Sequence, residues 1–345
     1  MNYGFYVNGS KYISLGFLLT GVVLLAYVLV EYMRPEKVVA PLAPRVVPPK
    51  YGELGVLPPS PQLSSEVVEL GRVLFHDPRL SKDNTVSCSS CHNISRGGVD
   101  GQQFSIGVQG RRGERNSPTV LNSGFLPKLF WDGRAKSLEE QAHEPVHNPL
   151  EMDTNWETVI AKLKLDQDLS QAFERVFPAG WSGNNIARAL ADFQRSLVTP
   201  NAPFDRFLSG EKEAMEPSAI RGYNKFLEYG CSTCHEGPTI GGKRFQKIGK
   251  MENFFKGREP NDSDLGLFNI SKRQSDRFKF RVPSLRNVAL TAPYFHDGSA
   301  QTLEDAVSTM ALVQLGDELP TEDRDDIVDF LKSLTGQLPP QSTSP

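Results

Sequence analysis

The four cysteines of this chain all fall in two copies of one short motif. Cys88-Ser-Ser-Cys91-His92 and Cys231-Ser-Thr-Cys234-His235 share one spacing and leave no cysteine for a disulfide. A Cys-x-x-Cys-His motif is typical of haem c attachment, in which both thiols form thioethers and the histidine ligates the iron. A redox-active thiol pair or a zinc site would not need that histidine in both copies. We therefore predict two covalently bound haem c groups, with His92 and His235 as iron ligands.

The overall composition is that of an ordinary globular protein. The chain has 345 residues, of which 39% are hydrophobic and 23% are charged, and this length accommodates two domains. The net charge of -3 provides no basic field that would neutralise phosphates. We therefore expect no nucleic-acid partner.

The N-terminal region predicts a membrane anchor. Residues 12–30 (YISLGFLLTGVVLLAYVLV) carry no charge, and nineteen residues of helix cross most of a bilayer core. We expect an uncleaved anchor over residues 1–34. A cleaved signal peptide, which would leave a soluble periplasmic protein, is the alternative, but the only small-residue site, at Ala40, is followed by Pro41. Haem c is attached outside the bacterial inner membrane in c-type cytochromes generally, so we expect a periplasmic body.

The rest of the chain divides into a linker and two haem segments. Residues 35–61 are rich in proline and predict a semi-extended tether. Residues 62–200 (the first half) and 201–345 (the second half) each contain one attachment motif. Each also ends in a predicted amphipathic helix, over 184–197 and 321–334. We predict a mainly α fold of two cytochrome c-like haem domains related by duplication, preceded by one N-terminal transmembrane helix.

Two further motifs recur at a constant distance and support the duplication. Pro118-Thr-Val-Leu-Asn122 corresponds to Pro283-Ser-Leu-Arg-Asn287, and residues 130–139 correspond to residues 295–304. Both repeats are 165 residues apart (118 to 283, 130 to 295). An alignment without gaps over this stretch indicates a duplicated domain rather than chance similarity.

The two halves differ where the second iron ligand is expected. Met310 lies well downstream of the second attachment motif, as an axial methionine does in cytochromes c, although a core methionine is the alternative. The aligned residue of the first half is Pro145, which cannot ligate iron. His143 and His147 lie nearby, and the sequence leaves open whether either is a ligand, an acid-base group or a solvated loop residue.

From about Leu63 to Gly336 the sequence resembles the bacterial dihaem cytochrome c peroxidases and their superfamily, which includes the dihaem enzyme that matures methylamine dehydrogenase. The motifs that carry the resemblance cover nearly the whole body and occur in the same order as in the family. The motifs that carry it, besides both haem sites, are Leu74-Phe-His-Asp-Pro-Arg-Leu-Ser81, Arg115-Asn-Ser-Pro-Thr-Val-Leu-Asn122, Phe130-Trp-Asp-Gly-Arg134, Leu138-Glu-Glu-Gln141, Asn148-Pro-Leu-Glu-Met152 and Pro293-Tyr-Phe-His-Asp-Gly298.

The resemblance implies a division of labour between the haems. The first would be the peroxidatic haem, and the second, with His235 and Met310, the site of electron entry. Gln141 and Glu151 would flank the open face of the first haem, and Trp131 would lie between the haems. The resemblance also implies one calcium ion between the domains. Its ligands would be the Asn116 side chain and the backbone carbonyls of Thr291 and Pro293, and oxygen ligands suit such a cation.

One position departs from the family pattern. Many members have a histidine that caps the oxidised peroxidatic iron, but after Ser105-Ile-Gly107 this chain has Val108. Valine has no ligating atom, so we predict a first haem that is five-coordinate or water-bound even when oxidised. Reductive activation would then be unnecessary, unless His143 or His147 supplies a ligand.

These observations predict a peroxidase that reduces hydrogen peroxide to water. Its electrons would come from a cytochrome c, a small copper protein or a quinol, and a homodimer is compatible with the resemblance. One alternative is a dihaem oxidase that modifies a partner protein, but the methylamine dehydrogenase maturation enzyme has a tyrosine where this chain has Met310. The other alternative is a non-enzymatic electron carrier, which would need two six-coordinate haems.

Overall fold

The computed structural model describes Met1 and residues 53–339, and the latter belong to one compact unit. The fold is mainly helical, as predicted, and one short antiparallel hairpin pairs Phe245 with Arg281. The helices are α1 (Ser65–His76), α2 (Cys88–Cys91), α3 (Leu138–His147), α4 (Trp156–Leu163), α5 (Gln167–Val176), α6 (Gly183–Ser196), α7 (Pro203–Leu208), α8 (Pro217–Glu228), α9 (Phe268–Ser271), α10 (Leu303–Met310) and α11 (Thr321–Lys332). The strands are β1 (Phe245–Lys247) and β2 (Lys279–Arg281).

In the first half, α1 packs across α6. The apolar face of α1 is buried against α6, and Phe75 and Phe193 pack with ring centroids 5.2 Å apart. Gly71 lies at the crossing, where a Cβ atom would overlap the carbonyl oxygen of Ala189. The glycine therefore lets the two helix backbones touch, and the attachment segment follows α1 by a short loop.

The second half repeats this crossing with α8 and α11. Gly222 of α8 faces the carbonyl oxygen of Asp326, which a Cβ atom would overlap. Tyr223 and Phe330 pack beside it with ring centroids 5.4 Å apart, and Arg221 forms an ion pair with Asp326 at 2.7 Å. The second attachment motif follows α8 directly.

Local backbone geometry also recurs 165 residues apart. Asn122 and Asn287 have left-handed φ angles of 59° and 60°, and Phe130 and Phe295 have φ of 65° and 70°. Isolated bridges pair Leu129 with Ala135 and Tyr294 with Ala300. Side chains of Ser137 and Thr302 cap α3 and α10, which begin at equivalent positions. Such agreement in unusual dihedrals supports a duplicated unit; the domain boundaries remain predictions.

Thr199 joins the two repeats close to the predicted boundary. Its hydroxyl oxygen accepts hydrogen bonds from the Asn122 amide at 2.8 Å and from the Asn287 amide at 2.9 Å. The Thr199 side chain is buried, and its backbone N–H donates to Asn122 Oδ1 at 2.9 Å. One residue therefore fixes equivalent turns of both halves in place.

The end of the predicted tether is part of the packed body. The Glu53 carbonyl accepts from the Gly237 N–H at 2.8 Å, the Gly55 carbonyl accepts from Arg286 at 2.8 Å, and Leu57 is buried. The remainder of the tether and the predicted anchor over 1–34 lie outside the described residues. Within the described residues, none of the helices has the length and apolar character needed to cross a bilayer.

Replacement of Gly222 by alanine tests the close crossing. Alanine is the better helix former by about 1 kcal/mol, but its Cβ would overlap the Asp326 carbonyl, and overpacking costs about 1–3 kcal/mol. We expect a net loss in the free energy of unfolding of about 1 kcal/mol or more, measured by urea titration and circular dichroism. Gly55→Ala is the control, because the atom nearest to its added Cβ would be 3.5 Å away. A Gly222→Ala protein as stable as the parent would contradict the proposed constraint.

Candidate active site

A cavity of about 460 Å³ in the first half collects most of the predicted site residues. Its walls include the attachment residues Cys88, Cys91 and His92. They also include the three predicted catalytic residues, Trp131, Gln141 and Glu151. Residues separated by up to sixty-three positions in the sequence (88 to 151) therefore line one cavity.

The attachment motif is positioned by its own helix. Ser87 precedes α2 and forms a capping box with Ser90, and His92 follows as the C-cap residue. His92 Nδ1 lies 3.2 Å from the Gly98 carbonyl oxygen and 3.3 Å from Ser117 Oγ. Burial lowers the pKa of His92, which favours the neutral imidazole. A carbonyl partner at Nδ1 places the proton there, so Nε2 is available as an iron ligand.

The two thiols of the cavity have raised pKa values, whereas the thiols of a reactive dithiol have lowered ones. Burial raises the pKa of Cys88 to about 12 and that of Cys91 to about 11. Redox-active and zinc-binding cysteines instead have lowered pKa values, because nearby positive charge stabilises the thiolate. The surroundings thus fit thiols that are used in covalent attachment.

Glu151 is held in the cavity wall by an amide. Asn148 Nδ2 donates to Glu151 Oε1 at 2.7 Å, and the Glu151 carbonyl accepts from the Val108 N–H at 2.8 Å. Burial raises the pKa of Glu151, and the bond from Asn148 opposes that shift. A carboxyl group with a raised pKa is suited to proton transfer near neutral pH. Gln141 of α3 lines the same cavity.

The two histidines considered as second ligands of the first haem iron, His143 and His147, do not line the cavity. Pro145 lines the cavity, whereas His143 and His147 are absent from its walls. Trp156 Nε1 donates to His143 Nδ1 at 2.7 Å, and His147 Nδ1 lies 2.7 Å from the His143 carbonyl oxygen. Val108 is fully buried and also lies outside the cavity walls.

One methionine lines the same cavity. Met152 contributes to its wall, and it is also buried in the hydrophobic core of the first half. Its thioether therefore has the apolar surroundings of a core residue.

The second attachment motif lies in a tight turn after α8. Cys231–Thr233 form a 3-10 turn, and burial raises the pKa of Cys231 to about 12 and that of Cys234 above its usual value. Burial lowers the pKa of His235 to about 4, and its buried Nδ1 has no hydrogen-bond partner among the described residues. A neutral, buried histidine of this kind fits an iron ligand.

Met310 ends α10 and is followed by one π-helical turn, Ala311–Leu315. It packs with Trp131 against a small core of Ile248, Phe255 and Phe280. Single π-helical turns are frequent at functional sites. Met310 and Trp131 thus meet at one cluster, while ligation of the second haem iron by Met310 remains a prediction.

The predicted calcium ligands lie at the contact between the halves. The Asn116 N–H donates to the His296 carbonyl at 2.8 Å, and the Asn116 carbonyl accepts from Trp131 Nε1 at 2.8 Å. Thr291 and Pro293 belong to the loop that leads to His296. Calcium binding by Asn116, Thr291 and Pro293 remains a prediction.

Three arginines of the cavity wall, Arg115, Arg134 and Arg281, were not among the predicted site residues. Arg134 lies over the Phe130 ring, 3.4 Å from its centroid, and pairs with Asp132 at 3.1 Å. Because Arg134 belongs to the Phe130–Arg134 motif, the sequence could have indicated it as a site residue. Arg281 enters the cavity from β2 of the second half, and no sequence signal connects it to a motif 150 residues earlier (281 against 131).

Comparisons with known proteins agree with this site. A family model described as di-haem cytochrome c peroxidase matches residues 65–213. The chain is 48% identical to cytochrome c peroxidase Ccp of Escherichia coli K12, over 80% of this chain but only 59% of that protein. It is 44% identical to cytochrome c551 peroxidase of Nitrosomonas europaea, over 80% of this chain and 82% of that one.

A comparison with solved structures also finds a similar fold. A MauG-like protein associated with microbial copper homeostasis superposes with a TM-score of 0.71 at 30% identity, covering 84% of this chain and 94% of that one. The residues matched by the family model include the first attachment motif and, apart from Arg281, the cavity walls. The chain belongs to the di-haem cytochrome c peroxidase family.

Proposed function

We propose that this protein is a periplasmic peroxidase that reduces hydrogen peroxide to water at a haem c in the first-half cavity. The observation that carries the proposal is the composition of that cavity. Cys88, Cys91 and His92 share it with Gln141 and Glu151, and His92 is the only histidine among the described residues of its walls. His92 would ligate a haem attached there, and Glu151 would share the cavity with that haem.

The surroundings of both attachment motifs fit a haem c. The thiols are half-buried and have raised pKa values, and the histidines are half-buried and have lowered pKa values, because desolvation disfavours their charged forms. The walls of the first cavity include the buried apolar residues Leu80, Val86 and Leu138. Bound haem iron supplies an open coordination position for peroxide and the electrons for its reduction.

Glu151 is the proposed acid-base group. Reduction of one peroxide to two waters consumes two electrons and two protons. Glu151 would take a proton from one peroxide oxygen and give it to the other, which leaves as the first water when the O–O bond breaks. Two electrons from the haems and two protons from solvent would then convert the remaining oxygen to the second water. Asn148 orients the carboxylate through its hydrogen bond at 2.7 Å, and Gln141, which lines the same cavity, would donate a hydrogen bond to peroxide.

Electrons are proposed to enter at the second haem, ligated by His235 and Met310, and to cross by way of Trp131. The support for this route is that Met310 and Trp131 pack against one cluster. The donor would be a cytochrome c, a small copper protein or a quinol. The apolar residues 12–30 support an anchor in the inner membrane, and a structural calcium at Asn116, Thr291 and Pro293 rests on the family resemblance.

The first test is spectroscopic. We expect the fully oxidised protein to show a high-spin signal by electron paramagnetic resonance, because the described walls of the cavity hold no histidine besides His92 and Met152 is buried in the core. One equivalent of peroxide, added without prior reduction, should remove that signal within the mixing time. Two low-spin haems that do not react with peroxide would contradict the open site, and would favour an electron carrier or an enzyme that needs reductive activation.

Glu151→Gln should lower kcat by about 10²–10⁴-fold, because the amide cannot accept the proton that peroxide must lose. The measurement is donor oxidation at saturating peroxide. Glu140→Gln is the control, since Glu140 is an exposed acid one position before Gln141 on α3. If both variants keep the parent's kcat, Glu151 is not the acid-base group.

Asn148→Ala should move the acid limb of the pH profile of kcat/KM to higher pH. The Asn148 bond favours the Glu151 carboxylate, so its loss raises the pKa of Glu151 further and the base form appears later as pH rises. The expected displacement is up to about one pH unit. Asn155→Ala, which removes the cap of α4 outside the cavity, should leave the limb in place. A profile identical to the parent's would show that Asn148 does not act on Glu151.

A further inference from the structure

Arg281 is a buried cation without an acidic partner. Its side chain is 4% exposed, and no acid among the described residues forms an ion pair with it. Nε donates to the Phe130 carbonyl at 3.1 Å, but Nη1 is buried without any hydrogen-bond partner in the described part of the chain. Burial lowers the pKa of Arg281 to about 10, so the guanidinium is still charged at neutral pH.

The other buried charges among residues 53–339 are neutralised. Arg286 is 2% exposed, and Asp205 holds it at 2.9 and 2.7 Å while the carbonyls of Pro238 and Gly55 accept its remaining protons. Each buried aspartate of the described residues pairs with an arginine: Asp77, Asp132, Asp192, Asp205, Asp264, Asp276 and Asp326. An unpaired buried guanidinium is strongly unfavourable, so Arg281 is an exception that calls for an anion.

The cavity that Arg281 lines is the place where we expect that anion. Arg281 belongs to β2 of the second half, yet it lines the first-half cavity together with Cys88 and His92. Its backbone N–H donates to the Trp131 carbonyl at 2.8 Å, which fixes β2 against the cavity wall. Opposite it on β1, Phe245 fills the space beside Gly133, where a Cβ atom would overlap its ring. The arginine is therefore held rigidly at this position by contacts between the halves.

We propose that Arg281 binds a carboxylate of the prosthetic group attached at Cys88 and Cys91, so that the second half completes the first haem site. The inference rests on the haem placement of the proposed function. A guanidinium pairs with a carboxylate through parallel N–H bonds, and the free Nη1 supplies such a donor. Arg281 is thus a cofactor-binding and positioning residue that couples the docking of the two halves to the first haem.

The test compares Arg281→Gln and Arg281→Lys with Arg244→Gln. Arg244 is a matched control, because it immediately precedes β1 of the same hairpin but is half exposed and pairs with Glu236. Mass spectrometry of the denatured proteins first counts the attached haems. The reduction potential of each haem is then measured by spectroelectrochemistry between pH 5 and 8, without peroxide or donor.

In Arg281→Gln we expect the potential of the first haem to fall, since a positive charge near a haem favours the reduced form. The ratio of reduced to oxidised haem at a fixed potential should decrease several-fold. The released carboxylate should also titrate closer to neutral pH, which makes this potential more pH-dependent than in the parent. Arg281→Lys should keep most of the parent's behaviour, and Arg244→Gln should be unchanged.

Three results would overturn the inference. An Arg281→Gln protein that carries two haems and has the parent's potentials would show that Arg281 binds no haem carboxylate. A parent potential that shifts with chloride or phosphate concentration, and no longer does so in Arg281→Gln, would assign the arginine to a free anion. Equal shifts of both haems would indicate a general loss of structure. Absence of a haem at Cys88 and Cys91 in the parent would instead contradict the proposed function.

Discussion

Each half of this protein depends on one helix crossing in which a glycine allows two backbones to touch. At Gly71 and Gly222 any side chain would overlap a carbonyl oxygen of the partner helix. Close backbone approach buries the flanking aromatic rings of α1 and α6, and of α8 and α11, in two separate cores. An attachment motif follows the first helix of each pair, so the crossing determines where the thiols and the histidine lie. The same constraint thus appears twice, and each haem site is built on it.

The two halves are not independent units joined by a linker. Thr199 accepts from both Asn122 and Asn287, so the equivalent turns share one buried hydroxyl. The hairpin of the second half closes over the Phe130–Gly133 turn of the first. The contact between the halves also completes the first cavity, because Arg281 of β2 is part of its wall.

The sequence was sufficient for the features that depend on local pattern. The attachment motifs and the mainly helical fold could be predicted from spacing and periodicity, whereas Gln141, Glu151 and Trp131 were named by the family resemblance. The structure brings these three residues into one cavity with the first attachment motif, and their roles remain predictions. The amide that holds Glu151 could not be assigned: the Asn148 bond is a matter of side-chain geometry three positions away. Arg281 could not be found either, since its role arises from packing between segments 150 residues apart (131 and 281). Likewise, the packing of residues 53–57 on the second half could not be read from their proline-rich composition.

The charges of the protein separate structural groups from functional ones. In the described region, buried aspartates are paired with arginines. Although burial opposes it, the bonds from Arg258 and His296 hold the pKa of Asp264 well below its usual range. Such pairs fix loops and change little with pH.

Two groups depart from this rule, and both line the first cavity. Among the described residues, the Glu151 carboxyl group has an amide as its hydrogen-bond partner and the Arg281 guanidinium has a carbonyl, and neither forms an ion pair. Burial disfavours the charged form of each group. Glu151 therefore binds its proton more readily than in water, and Arg281 releases its proton more readily. The desolvation of Glu151 and Arg281 is unfavourable for folding. Proteins retain such unfavourable groups at sites where the groups act on a bound ligand. These two groups without a charged partner support the proposal that the first cavity is the reactive one.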